Sequence, residues 1–145
     1  MAEKTQNFEN HTRTVPMFHF GVLPVLLFNA VWMIVHEIRH PSFGNGVAMI
    51  VAFALLLLAF SARMFALTVQ DRVIRLEMRL RLQQLLPPEL KARIPEFTLA
   101  QLVSLRFASD AELPELARKV LDEKLNDRKA IKKLIRNWQP DYLRA

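Results

Sequence analysis

The sequence predicts an all-α protein: a two-helix transmembrane hairpin, its second helix extended into the cytoplasm, followed by a small C-terminal helical module. Three observations predict it. Residues 17–36 and 47–68 are apolar stretches long enough to cross a ~30 Å hydrocarbon layer. No Pro or Gly falls between Gly46 and Pro87, so nothing stops the second helix where it leaves the bilayer. Seventeen of the 20 Lys and Arg lie from Arg63 onward, which puts the tail on the cytoplasmic side.

Residues 1–16 read as a polar arm. No short apolar core with a small-residue cleavage site precedes Met17, so the first span is expected to be uncleaved. Ala2 stands where N-myristoylation needs Gly. Asn10-His11-Thr12 has the glycosylation pattern, but the expected topology keeps it cytoplasmic. The chain has no Cys, which excludes disulfides, thiolate metal sites and Cys nucleophiles.

The first span, 17–36, holds Pro24, which removes a backbone donor and should bend the helix. Asn29 lies near mid-span, where an unpaired amide is costly, so it should face another helix. Residues 37–46 form a short outer connection. Pro41 and Gly44-Asn45-Gly46 are turn chemistry, and a link this short makes an antiparallel hairpin. The connection carries only Arg39, so both termini are expected in the cytoplasm.

His36-Glu37-Ile38-Arg39-His40 matches H-E-x-x-H, in which two His one turn apart hold zinc and the Glu activates water. The surroundings disfavour a metalloprotease. Pro41 follows His40 directly, and no third ligand lies in the connection beyond the motif itself. His36 and His40 are therefore only weak metal candidates, and the stretch reads better as a polar helix cap. No catalytic residue and no cofactor is expected.

In the second span, 47–68, Ala48, Ala52, Ala59, Ala62 and Ala66 cluster on one side at about 100° per residue. Small residues let another helix approach closely, either the first span or a helix of another chain. Read as one helix, residues 46–86 make a rod of roughly 60 Å, so about half stands in water. That half, 69–86, has two opposed apolar stripes. Val69, Val73, Leu76 and Leu80 form one; Ile74, Met78, Leu82 and Leu85 form the other. A helix apolar on two sides needs two neighbours. The tail is expected to cover one stripe, and a second copy or another subunit the stripe with Ile74, Met78, Leu82 and Leu85.

Residues 87–145 read as a helical module. Pro87-Pro88 ends the rod, and one helical turn fits before Pro95. Thr98 with Gln101 forms a capping box opening a helix through Leu99, Leu102, Val103, Leu105 and Phe107. Ser109 or Asp110 starts the next helix, with Glu112 reaching back to Ser109 and Leu113, Leu116, Ala117, Val120 and Leu121 facing inward. Asn126-Asp127 ends it and caps the last helix, which buries Ile131, Leu134, Ile135 and Trp138 and runs to Pro140. Its basic face, Arg128, Lys129, Lys132, Lys133 and Arg136, is a candidate contact for an anionic surface. Nucleic acid is disfavoured, because no stacking aromatics or reader motif accompany it.

The segments Thr5-Gln6-Asn7-Phe8-Glu9-Asn10-His11-Thr12-Arg13, Leu105-Arg106-Phe107-Ala108-Ser109-Asp110 and Ile131-Lys132-Lys133-Leu134-Ile135-Arg136-Asn137-Trp138 resemble an uncharacterised bacterial family of small two-span membrane proteins. The resemblance spans nearly the whole chain. It implies a bacterial inner-membrane protein and transfers no activity or functional residue. The expected role is a non-catalytic interaction or accessory subunit in the lipid bilayer, within a homo-oligomer or a larger membrane complex. The rivals are a metalloprotease through the His36 stretch and a tethered binder of anionic lipid or nucleic acid through the last helix.

Overall fold

The structure, a computed structural model, describes residues 7–8 and 14–141 of the 145-residue chain. Most of the arm expected over residues 1–16, its sequon included, lies outside the described residues. The described residues form α1 (Leu23–Arg39), α2 (Phe43–Leu85), α3 (Pro88–Lys91), α4 (Leu99–Leu105), α5 (Leu113–Asp122) and α6 (Arg128–Lys133). No strand occurs among them. A single antiparallel bridge pairs Ala108 with Trp138. One compact unit spans Arg13–Thr68, and the other is built mainly from Val69–Arg144.

Two helical stretches are long and apolar enough to cross a membrane, Met17–Arg39, which lies in the first unit, and Phe43–Leu85, which begins there and continues into the second. A π-helical turn, Met17–Val22, precedes α1, and the Leu23 amide bonds back to the Phe18 carbonyl. Pro24 has no N–H to return to residue 20, so the ladder shifts register there. The expected bend at Pro24 is thus a π turn ahead of a regular helix.

Gly44-Asn45-Gly46 is not the turn that its composition suggested. It is the first turn of α2. Ser42 Oγ accepts the Asn45 amide at 3.1 Å, as an N-cap does, and Asn45 Nδ2 donates to the His40 carbonyl at 2.6 Å. The chain reverses at His40 to Ser42 instead.

The less exposed positions recur every three or four residues: Leu26, Asn29, Ala30, Met33 and His36 on α1, and Asn45, Met49, Ala52, Leu56 and Ala59 on α2. Ala30 and Ala52 are buried. Asn29 shares the inward face of α1. The five alanines of the expected stripe separate. Ala52 is buried and Ala59 half-buried, while Ala48, Ala62 and Ala66 are exposed. The inward face follows a 3.5-residue repeat that alternates these two alanines with Met49 and Leu56.

The second unit is a helical module around one core. Leu82, Leu102, Leu105, Phe107, Leu113 and Ile131 are fully buried in it. The capping box of α4 forms as the sequence required: Thr98 Oγ1 accepts the Gln101 amide at 3.3 Å, and Gln101 Oε1 accepts the Thr98 amide at 2.8 Å. Gln101 is buried, and its Nε2 also donates to the Leu125 carbonyl at 2.9 Å. α5 begins at Leu113, after a turn at residues 110–112, with its five expected core residues buried.

α5 ends earlier than expected, at Asp122. Lys124 has φ 51, the Leu125 amide bonds to the Val120 carbonyl at 3.0 Å, and the Lys124 amide to Leu121 at 3.3 Å. This is a Schellman motif with Lys where Gly is usual. Asp127 caps α6, accepting the Lys129 and Ala130 amides at 3.3 and 2.9 Å.

The last helix is shorter than its apolar periodicity implied. α6 stops at Lys133, and a turn at Leu134 and bends at Arg136 and Asn137 lead the chain to Trp138. Distant groups satisfy its backbone there. Ser109 N–H donates to the Asn137 carbonyl at 3.1 Å, and Gln139 N–H to Phe107 at 2.7 Å. The Glu112 carboxylate accepts the Arg136 and Asn137 amides at 3.1 and 3.2 Å. Trp138 stacks on Phe107 with ring centroids 4.6 Å apart.

Candidate functional site

Besides the alanine stripe of the second span, three surfaces carried sequence expectations. The first is the His36 stretch. His36 lies in the last turn of α1, but His40 lies just beyond the helix at φ −137 and ψ 68, so the two are not successive residues of one helix face. Their rings sit 5.4 Å apart, tilted by 48°. His36 Nδ1 and Glu37 Oε2 are buried without a hydrogen-bond partner. Among the described residues, no group of three His, Cys, Asp or Glu is placed to hold a metal ion.

The second surface is the part of α2 within the second unit. Here one expectation is corrected. Ile74, Met78 and Leu82 are 5%, 3% and 0% exposed, and they belong to the chain's own core together with Leu86. Leu85 is half-buried against that core. The stripe assigned to a second copy or another subunit is therefore covered by the module itself. The opposite stripe is open: Val69, Val73, Leu76 and Leu80 are 59%, 46%, 61% and 55% exposed. Both stripes were legible as apolar. Which one the module would choose was not, because helical spacing gives two faces and no preference between them.

Arg81 makes the choice visible. Its guanidinium donates to the Ala108 carbonyl at 2.6 Å, the Arg106 carbonyl at 3.1 Å, Asp110 Oδ1 at 2.7 Å and Gln139 Oε1 at 2.8 Å. In the sequence it is one more flanking charge. In the fold it ties α2 to the segment after α4 and to Gln139 beyond α6. Arg93 plays a smaller tie. Hydrogen bonds to Asp122 and then Glu96 raise its pKa above the usual guanidinium value, against the opposing effect of desolvation.

The third surface is the basic face near α6. Arg128, Lys129, Lys133 and Arg136 are exposed. Lys132 is not one of that face: it is half-buried with Nζ 5.0 Å from the centre of the Phe107 ring. Arg136 lies beyond the helix end. A shallow open cleft beside this region is lined by Glu112, Glu115, Lys119, Leu134, Arg136 and Asn137, among others. Its Glu112 is engaged by backbone amides, and nothing there pairs a nucleophile with a base.

Against known families, one model matches the chain over residues 1–145, that of a family of unknown function, DUF6526. The chain belongs to this family. No curated protein and no solved structure matches it. The DUF6526 match covers both units, and it includes the segments Leu105 to Asp110 and Ile131 to Trp138 that carried the resemblance. In this DUF6526 chain those two segments meet at the Phe107 and Trp138 rings and at the bridge between Ala108 and Trp138.

Proposed function

We propose that this protein is a two-span integral membrane protein of the bacterial inner membrane, with both termini cytoplasmic, acting as a non-catalytic interaction or accessory component. The observation that carries the reading is the exposed stripe Val69, Val73, Leu76 and Leu80 on α2. Four branched aliphatic side chains in line on one helix face are a surface that favours a protein neighbour over water. The opposite face of the same helix already has its neighbour in the module core. The charge asymmetry supports the orientation. The membrane reading draws on the two apolar helices, each with only 6% of its most apolar window buried, whereas a soluble core helix is mostly buried.

The test is the size of the protein taken from native membranes in mild detergent. The wild type is expected to travel in a particle larger than one 16.8 kDa chain plus its detergent. Val73→Glu with Leu76→Glu is expected to shrink that particle while helix content stays unchanged. A wild type that is already a single chain contradicts the interaction reading.

A further inference from the structure

We infer that the open stripe of α2 is a parallel seam between two copies of this chain. The inference rests on the interaction reading above and names the partner. Val69, Val73, Leu76 and Leu80 are spaced four, three and four residues apart. That is a heptad alternation, with Val69 and Leu76 at d and Val73 and Leu80 at a. A 3.5-residue repeat keeps one face of a helix against a second helix as the two supercoil. All four side chains are open to solvent. A β-branched residue at a with Leu at d, here Val73 and Leu76, suits two strands.

The charges fit the same register. Arg72 and Arg79 take g positions, and Glu77 takes an e position. In a parallel pair, a g residue faces the e residue five positions on in the other helix. Arg72 therefore meets Glu77 of the partner subunit, and twofold symmetry repeats the pair. Both side chains are exposed, and neither forms an ion pair among the described residues. The seam is thus complementary to itself in its apolar repeat and in the Arg72 and Glu77 charges.

The sequence gives a reason for a copy over a soluble partner. The alternation continues upstream at Ala66 and Ala62, both exposed, into the apolar span. An occupant that keeps this register is itself a membrane helix running in the same direction, and a second copy meets that condition. Small residues at those positions let two helices approach closely.

The chain has no Cys, so single substitutions report cleanly. Full-length Val73→Cys, Leu76→Cys and Arg75→Cys would be oxidised mildly in native membranes. Val73→Cys and Leu76→Cys are expected to give linked dimers in roughly tenfold greater yield than Arg75→Cys, which lies off the seam. Equal yields at all three positions, or none, overturn the inference. In the Leu76→Cys background, Arg72→Glu should lower the yield about three- to tenfold, and adding Glu77→Arg should restore it. Failure to restore it with helix content intact contradicts the register. A short thiol-to-amine cross-linker on Leu76→Cys separates the remaining outcomes. A product with a different protein overturns the second copy and leaves the interaction reading standing. No protein product, with a fluorophore at that position quenched by brominated lipid, puts the stripe on the bilayer and overturns both.

Discussion

The Arg81 guanidinium donates to the Ala108 carbonyl at 2.6 Å, joining α2 to the segment that follows α4. The same group forms an ion pair with Asp110 at 2.6 Å while its own side chain is mostly covered. Arg81→Ala leaves the Arg106 and Ala108 carbonyls without this donor. Charge-assisted bonds to partly buried carbonyls make that a loss of about 2–4 kcal/mol. Arg81→Lys should recover little of it, because an ammonium cannot span the same fork of acceptors. Urea unfolding of the full chain in mild detergent, followed by Trp138 fluorescence with Trp32→Phe, measures both.

The two faces of α2 predict opposite sensitivities. Leu82→Ala removes a fully buried side chain from the module core and should cost about 2–5 kcal/mol of folding stability. Leu80→Ala, on the face that is open within one chain, should change the unfolding transition of the dissociated chain by less than about 1 kcal/mol. Met78→Glu with Leu82→Glu should unfold the module. A folded double variant that merely loses a partner would reinstate the assignment that the structure corrects.

Much of this fold was legible in the sequence. The uninterrupted second helix, the Thr98 and Gln101 capping box and the inward face of α5 follow from local chemistry, because each depends on residues close in the chain. The failures share a physical cause, which is competition from groups distant in sequence. Trp138 fits the periodicity of the last helix, but Phe107 and the Glu112 carboxylate draw residues 136–139 out of it. Gly44-Asn45-Gly46 has turn composition, but Ser42 caps it into a helix. For the candidate surface, spacing gave two stripes on α2. The burial of Ile74, Met78 and Leu82 and the ties made by Arg81, at separations of 25 to 58 residues, show which one the module occupies.

Lys124 is in the left-handed region at φ 51, where an L side chain costs roughly 1–2 kcal/mol. Lys124→Gly relieves that cost, offset by the greater freedom of Gly in the unfolded chain. A net stabilisation of about 0.5–1 kcal/mol is expected. Thermal unfolding of the two proteins side by side measures it. A lower midpoint for Lys124→Gly would mean that the Lys side chain contributes more than its backbone strain takes away.

The His36 stretch gives a further expectation. Purified full-length protein should bind zinc below stoichiometry, and Glu37→Gln should leave its stability and cellular phenotype unchanged. Metal analysis and growth assays measure the two. One zinc per chain, lost in His36→Ala, would overturn this expectation and establish a metal site at the His36 stretch.

Membrane orientation tests the account most directly. Ser42, exposed in the connection between α1 and α2, and Lys133, exposed at the end of α6, should lie on opposite sides of the membrane. In intact cells, a membrane-impermeant maleimide should label Ser42→Cys and not Lys133→Cys, and after permeabilisation it should label both. Labelling of Lys133→Cys but not Ser42→Cys in intact cells would contradict the proposed topology, and equal labelling of the two would contradict a membrane-spanning hairpin altogether.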